Sequence, residues 1–118
     1  MNKNKDKGNQ GENIASDYLL KKGYAILHRN WRHKQREIDI IAAKNNTLHF
    51  IEVKTRTSNK FGLPEESISD YKMNALKKAA EAFLLQNAEW NQIQFDVVAI
   101  TLSSNKVEEI FIIEDVFF

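Results

Sequence analysis

The sequence predicts a small single-domain α/β protein, a mixed β-sheet with a helix on each side, in the order α-β-β-β-α-β-β. Three observations predict it. Two stretches space their apolar residues for one helix face and bracket three strand-like segments. The segment from Phe95 to Leu102 is almost continuously apolar, as in a strand covered on both faces. The second helix is long enough for a right-handed crossover, which would make the strands on either side of it parallel. At 118 residues, with 42% hydrophobic and 28% charged content, the chain has the length and composition of one globular domain with its own core.

Taken in order, Met1 to Gln10 is rich in Lys and Asn and has no apolar run, so it is not a secretory signal. Residues 1–7 read as a flexible polar tail. Gly11 to Lys22 carries Ile14, Ala15, Tyr18 and Leu19 at helical spacing, and Gly23 stops the helix. Tyr24 to Leu27 reads as a first strand, and Arg29 to Gln35 as a polar, basic loop. Glu37 to Ala43 alternates Ile38 and Ile40 with Glu37 and Asp39, which is strand periodicity. Asn45-Asn46 suits a tight turn because Asn tolerates positive φ, and Thr47 to Thr55 returns as the hairpin partner. Ser58 to Pro64 reads as a loop. Ser69 or Asp70 caps a helix from Tyr71 to about Asn87, with Met73, Leu76, Ala80 and Phe83 on one face. Phe95–Leu102 and Val107–Ile113 complete the sheet.

Composition narrows the function classes. With no cysteine there is neither a disulfide framework nor a thiolate metal site, which fits a cytoplasmic protein. No apolar run approaches the ~20 residues of a membrane-spanning helix. A net charge of +1 means that any nucleic-acid binding must rest on local patches. His28, His33 and His49 lack zinc-ligand spacing, and no glycine-rich phosphate loop or nucleophile elbow occurs.

The chemistry concentrates in the hairpin. A turn centred on Asn45-Asn46 sets Ile41 against Phe50, Ile40 against Ile51, Asp39 against Glu52, Ile38 against Val53 and Glu37 against Lys54. One face then carries Ile38, Ile40, Ile51 and Val53, and the other Glu37, Asp39, Glu52 and Lys54. Like charges directly opposite each other are destabilising, so Asp39 against Glu52 breaks a local rule. A hard divalent cation such as Mg²⁺ or Mn²⁺ relieves that repulsion. Lys54 is placed to neutralise a phosphate or to orient or deprotonate a water. Metal-assisted hydrolysis of a phosphodiester needs that combination of cation, activated water and cationic side chain. The same alternation also describes a solvated hairpin face, on which Glu37 and Lys54 form an ordinary cross-strand ion pair.

Asp39 followed by Glu52-Val53-Lys54 resembles the PD-(D/E)xK nuclease motif. The segments Gly11-Glu12, Tyr18-Leu19, Gly23-Tyr24, Asn30-Trp31-Arg32, Glu37 to Ala42, Phe50 to Arg56, Phe61-Gly62-x-Pro64 and Phe95 to Ile100 together resemble the YraN-like family. These are small bacterial proteins similar to Holliday-junction resolvases. The resemblance implies a restriction-endonuclease-like fold and a Mg²⁺- or Mn²⁺-dependent endonuclease acting on DNA, branched or damaged. It implies Asp39 and Glu52 as metal ligands with the Val53 carbonyl, Lys54 as the catalytic lysine, and Glu12 as support for the metal. Glu12 shares a helix face with Ala15 and Leu19, so it points toward the sheet, although a first-turn glutamate also suits the helix dipole. Two departures stand out: Arg36 replaces the glycine usual before the Glu-Ile-Asp segment, and Ile38 replaces the proline of the motif's name.

Arg32, Lys34 and Arg36, with Arg56, Lys60 and Lys72, are the candidate nucleic-acid contacts. Trp31 reads either as a stacking ring or, more in keeping with tryptophan's usual burial, as part of the core. Lys72 lies in a helix's first turn, against the dipole preference, which favours a role facing the site. The alternative reading is a nucleic-acid-binding module with little or no catalysis, and a third is an interaction domain whose acidic face is only surface. Resolvase-like relatives imply a homodimer, for which the residues themselves give no signature.

Overall fold

The computed structural model describes residues 3–57 and 70–116. The expected Ser58–Pro64 loop, Lys60, Ser69 and the Phe117-Phe118 pair lie outside the described residues. The elements are α1 (Lys3–Lys21), β1 (Ala25–His33), β2 (Arg36–Lys44), β3 (Thr47–Thr57), α2 (Asp70–Gln86), β4 (Ile93–Ser103) and β5 (Lys106–Ile113). They form one five-stranded sheet in the order β1-β2-β3-β4-β5, antiparallel except where β3 meets β4 in parallel across the α2 crossover. The fold class and element order are those expected.

Two boundaries differ from the expectation by more than two residues. α1 begins at Lys3, so it takes in Lys3–Lys7 of the segment read as tail. The Arg29–Gln35 stretch is not a loop. β1 runs on to His33, and only Lys34-Gln35 turns the chain. The polar residues concealed a strand there, because one of its faces is solvated while Trp31 packs edge-on against Phe83, with ring centroids 5.3 Å apart.

Chain reversals follow residue chemistry. α1 closes with Tyr24 N–H donating to the Leu19 carbonyl and Gly23 N–H to the Leu20 carbonyl, with Gly23 at φ 92°. Asn45 and Asn46 take φ 51° and 65°, as a two-residue hairpin of primed type requires. Arg36 opens β2 paired with His33, while the positive φ falls on Lys34, so glycine's conformational freedom is not needed at position 36.

The sheet has a core on each face. On the α1 side, Ala15 and Leu19 pack with Ile40, Ala42, Ile51, Val98 and Ile100. On the α2 side, Leu76, Ala80 and Phe83 pack with Ile38, Ile41, Leu48 and Phe50. No helix of the described residues is long and apolar enough to cross a membrane.

Candidate active site

The site forms where β2 and β3 come apart. Their ladder runs from Lys44–Thr47 through Ile41–Phe50 to Ile40–Ile51, in the expected register, and ends there. The expected pairs Asp39–Glu52, Ile38–Val53 and Glu37–Lys54 do not form. Instead, the Asp39 side chain reaches the next strand, and its Oδ2 accepts the Val53 N–H at 2.8 Å.

Strict alternation fails at the same level. Ile38 lies with Ile41 in the α2-side core, whereas Ile40 lies in the α1-side core. The single expected face of Glu37, Asp39, Glu52 and Lys54 is therefore split. On β1, opposite the irregular step, Asn30 has φ 54°, a conformation Asn tolerates better than most residues. Asp39 sits at the split. Glu37 joins Glu12 on one side of it, and Glu52 approaches Lys72 on the other. Glu37 pairs with Arg32 at 3.4 Å, not with Lys54.

α1 delivers Glu12. At Gly11 a Cβ would collide with the Thr55 hydroxyl, so a glycine lets the helix press against β3 one residue before the glutamate. Glu12, Glu37 and Asp39 each bring a carboxylate oxygen within 4.8 Å of the others. The Glu12 side chain is only 12% exposed, and its Oε1 has no hydrogen-bond partner among the described residues, with Arg29 Nη2 3.9 Å away.

The electrostatics follow from this crowding. Burial, then the Glu52 charge, push the Asp39 carboxyl up to about 7, with smaller pushes from Glu12 and Glu37, against the opposing Val53 hydrogen bond. Burial, then contact with the Lys72 amine, hold Lys54 below the ordinary lysine range. The same contact between the two amines holds Lys72 above it, with the Glu52 charge adding to the effect.

Two grooves meet here. The larger, about 810 Å³, runs between the β1–β2 turn and α2, and Lys34, Arg36, Tyr71, Lys72 and Lys78 line it. The smaller, about 460 Å³, runs past Glu12, Lys54 and Arg56. Asp39, Glu52 and Lys72 line both.

The structure thus brings Glu12, Asp39, Glu52, Val53 and Lys54 together, and sets Lys34, Arg36, Arg56 and Lys72 along the grooves. Arg32 turns onto Glu37 and lines neither. Sequence reasoning missed Glu37 as a member of the carboxylate cluster and Arg29 as the neighbour of Glu12. It also passed over Tyr71, 82% exposed in the larger groove. An aromatic lying off the Met73-Leu76-Ala80-Phe83 stripe was the available signal.

The fold and cluster define a class: a mixed-sheet α/β domain with a carboxylate–lysine cluster at an opened strand pair. The chain belongs to the uncharacterised protein family UPF0102, the YraN-like group, which it matches over residues 11–100. It is 47% identical over 119 residues to a UPF0102 protein of Caldicellulosiruptor saccharolyticus, covering 99% of this chain and 100% of that one. It is 46% identical over 104 residues to one of Chlorobium phaeobacteroides, covering 87% and 82%. A third, from Flavobacterium psychrophilum, is 41% identical over 100 residues, covering 85% and 84%.

Proposed function

We propose that this protein is a metal-dependent DNA endonuclease of the PD-(D/E)xK type, hydrolysing phosphodiester bonds in branched or damaged DNA. The observation that carries this reading is the opening of the hairpin at Asp39. A merely solvated hairpin would continue its ladder. Here a carboxylate takes the place of a strand partner for the Val53 amide and is held among like charges.

The donors suit Mg²⁺ or Mn²⁺: all are hard oxygens, and Glu12 Oε1 is buried without a hydrogen-bond partner among the described residues. Asp39, Glu52 and the Val53 carbonyl would hold the ion, with Glu12 supporting. When bound, it supplies positive charge to the phosphate and lowers the pKa of water. The Val53 amide fixes the rotation of the Asp39 carboxylate. Lys54, held below its ordinary range, is more readily the neutral amine, the one form whose Nζ can accept a proton from the attacking water. Lys34, Arg36 and Arg56 bind backbone phosphates along the grooves, and Tyr71 offers a ring to an unpaired base.

The test is cleavage of labelled linear, nicked and four-way-junction DNA with Mg²⁺ or Mn²⁺, for the natural protein beside Asp39→Asn and Lys54→Ala. Metal-dependent cutting that each substitution lowers by about a thousandfold is expected. The second reading, a binding module on the same fold, draws on the ion pairs that already balance Glu12, Glu37 and Glu52. Salt-sensitive DNA binding with no cutting, or with cutting indifferent to both substitutions, would establish that reading instead.

A further inference from the structure

The outer carboxylates of the cluster each lean on a cation. Glu12 has Arg29 at 3.9 Å, Glu37 has Arg32 at 3.4 Å, and Glu52 has Lys72 at 3.5 Å. The three pairs are not equivalent in place. Arg29 and Arg32 stand on β1 and line neither groove, whereas Lys72 lines both, together with Asp39 and Glu52. Lys72 also comes from a different layer. It is the third residue of α2, so its ammonium reaches the sheet from the helix above it.

That placement costs something locally. A cation in the first turn of a helix opposes the macrodipole. Glu52, whose side chain is 18% exposed against 52% for Lys72, supplies the compensating negative charge. A lysine suits this position better than an arginine would. Its ammonium is a compact point charge on a flexible stem, free to exchange one oxygen partner for another.

Resting on the nuclease reading above, we propose that Lys72 is the resident counter-ion of the site: its ammonium occupies Glu52 until a divalent cation displaces it, and it then turns into the groove to hold the phosphate of the DNA. Lys72 is on this account a substrate-binding residue that first serves as the partner of Glu52. It keeps Glu52 neutralised and oriented in the free protein. It also links metal loading to DNA binding, because the cation that takes Glu52 releases a positive charge to the substrate.

The link is measurable without cleavage. Mn²⁺ binding to the DNA-free protein, followed by electron paramagnetic resonance at low salt, is compared for the natural protein, Lys72→Gln, Lys72→Arg and Asp39→Asn. Removing a competing, largely exposed ion pair should tighten Mn²⁺ binding in Lys72→Gln about twofold to fivefold. Lys72→Arg, which keeps the charge, should bind no more tightly than the natural protein. DNA binding is then measured across salt concentrations in Ca²⁺ and in EDTA. Lys72→Gln should lower the salt slope by about one in Ca²⁺, where Lys72 has been released, and leave it unchanged in EDTA.

Mn²⁺ affinity equal in Lys72→Gln and the natural protein, while Asp39→Asn still abolishes binding, overturns the counter-ion role alone and leaves the metal site standing. An equal drop in salt slope in Ca²⁺ and EDTA overturns it too, since Lys72 would then contact phosphate irrespective of metal. If every expected shift is found but no DNA is cut, the counter-ion role stands and catalysis falls. If the natural protein binds no Mn²⁺, both readings fall.

Discussion

Two acidic regions lie on the same sheet and have been treated oppositely by the fold. At one end, fully buried Asp96 on β4 has its hydrogen bonds filled. Its Oδ2 pairs with His49 Nδ1 at 2.6 Å, and its Oδ1 accepts from Gln94 Nε2 at 2.8 Å and the Asp115 N–H at 2.9 Å. The bond to Asp115, with Val116 N–H to the Phe95 carbonyl beside it, ties the chain after β5 back across β4. At the other end, Asp39 is crowded by three carboxylates, and Glu12 Oε1 is buried without a hydrogen-bond partner among the described residues. A buried carboxylate with complete partners specifies structure. One surrounded by its own kind stores repulsion, and a site that stores repulsion is poised to take a cation.

The largest effect expected from breaking the comparison is at the structural end. Asp96→Ala strips the partner from His49 Nδ1, Gln94 Nε2 and the Asp115 amide and leaves a void, a loss of about 3–5 kcal/mol. Urea unfolding should report that loss, while the Mn²⁺ affinity of the protein that remains folded is unchanged. A loss under 1 kcal/mol would mean that the Asp96 network is not what holds this end together.

The second effect has the opposite sign. The Asp39 carboxyl stands at about 7 in the folded protein against its ordinary 3.8, so the folded chain binds that proton more tightly than the unfolded chain. The ionised form therefore destabilises the fold. The penalty is absent below about pH 4, grows as pH rises, and is complete above about pH 7. Asp39→Asn retains an oxygen for the Val53 amide and removes the charge. It should stabilise the metal-free protein at pH 8 by something on the order of 2–3 kcal/mol, and hardly at all at pH 4. Thermal melts at the two pH values check this, and saturating Mn²⁺ should reverse the order at pH 8, because only the natural protein gains from the ion. A variant less stable than the natural protein at pH 8 without metal would contradict the stored repulsion.

How much of this was legible in the sequence depends on which rule each residue obeyed. Gly23, Asn45 and Asn46 obeyed local turn chemistry, and the hairpin register followed from them as far as Ile40 and Ile51. Asp39, Glu52 and Lys54 were visible as two like charges set opposite each other beside a lysine, a pattern that a solvated hairpin face also allows. What could not be read was the split at Asp39. Period-two alternation predicts where a side chain points only while the strand is regular, and here a carboxylate in place of a strand partner ends that regularity. Glu37 was assigned to Lys54 for this reason and pairs with Arg32 instead. The Arg29–His33 strand was hidden for a different reason. A strand with one wet face and few apolar residues gives almost no periodic signal, and its neighbour β2 supplies the ladder that makes it a strand.

The smallest effect sharpens the comparison through screening. Arg32 and Glu37 meet at 3.4 Å with side chains 74% and 36% exposed, while His49 and Asp96 meet at 2.6 Å with 6% and 0%. Solvent reaches the first pair and not the second. A double-mutant cycle on Arg32 and Glu37 should give a coupling of about 0.2–1 kcal/mol in low salt that shrinks toward zero in 1 M NaCl, where the Debye length is about 3 Å. The His49–Asp96 cycle should be larger and indifferent to salt, because its partners meet where ions do not reach. Should the Arg32–Glu37 coupling persist undiminished in 1 M salt, the pair would belong with the buried network. Glu37 would then be held by the fold, as Asp96 is, rather than left able to turn toward the cation proposed for Asp39 and Glu12.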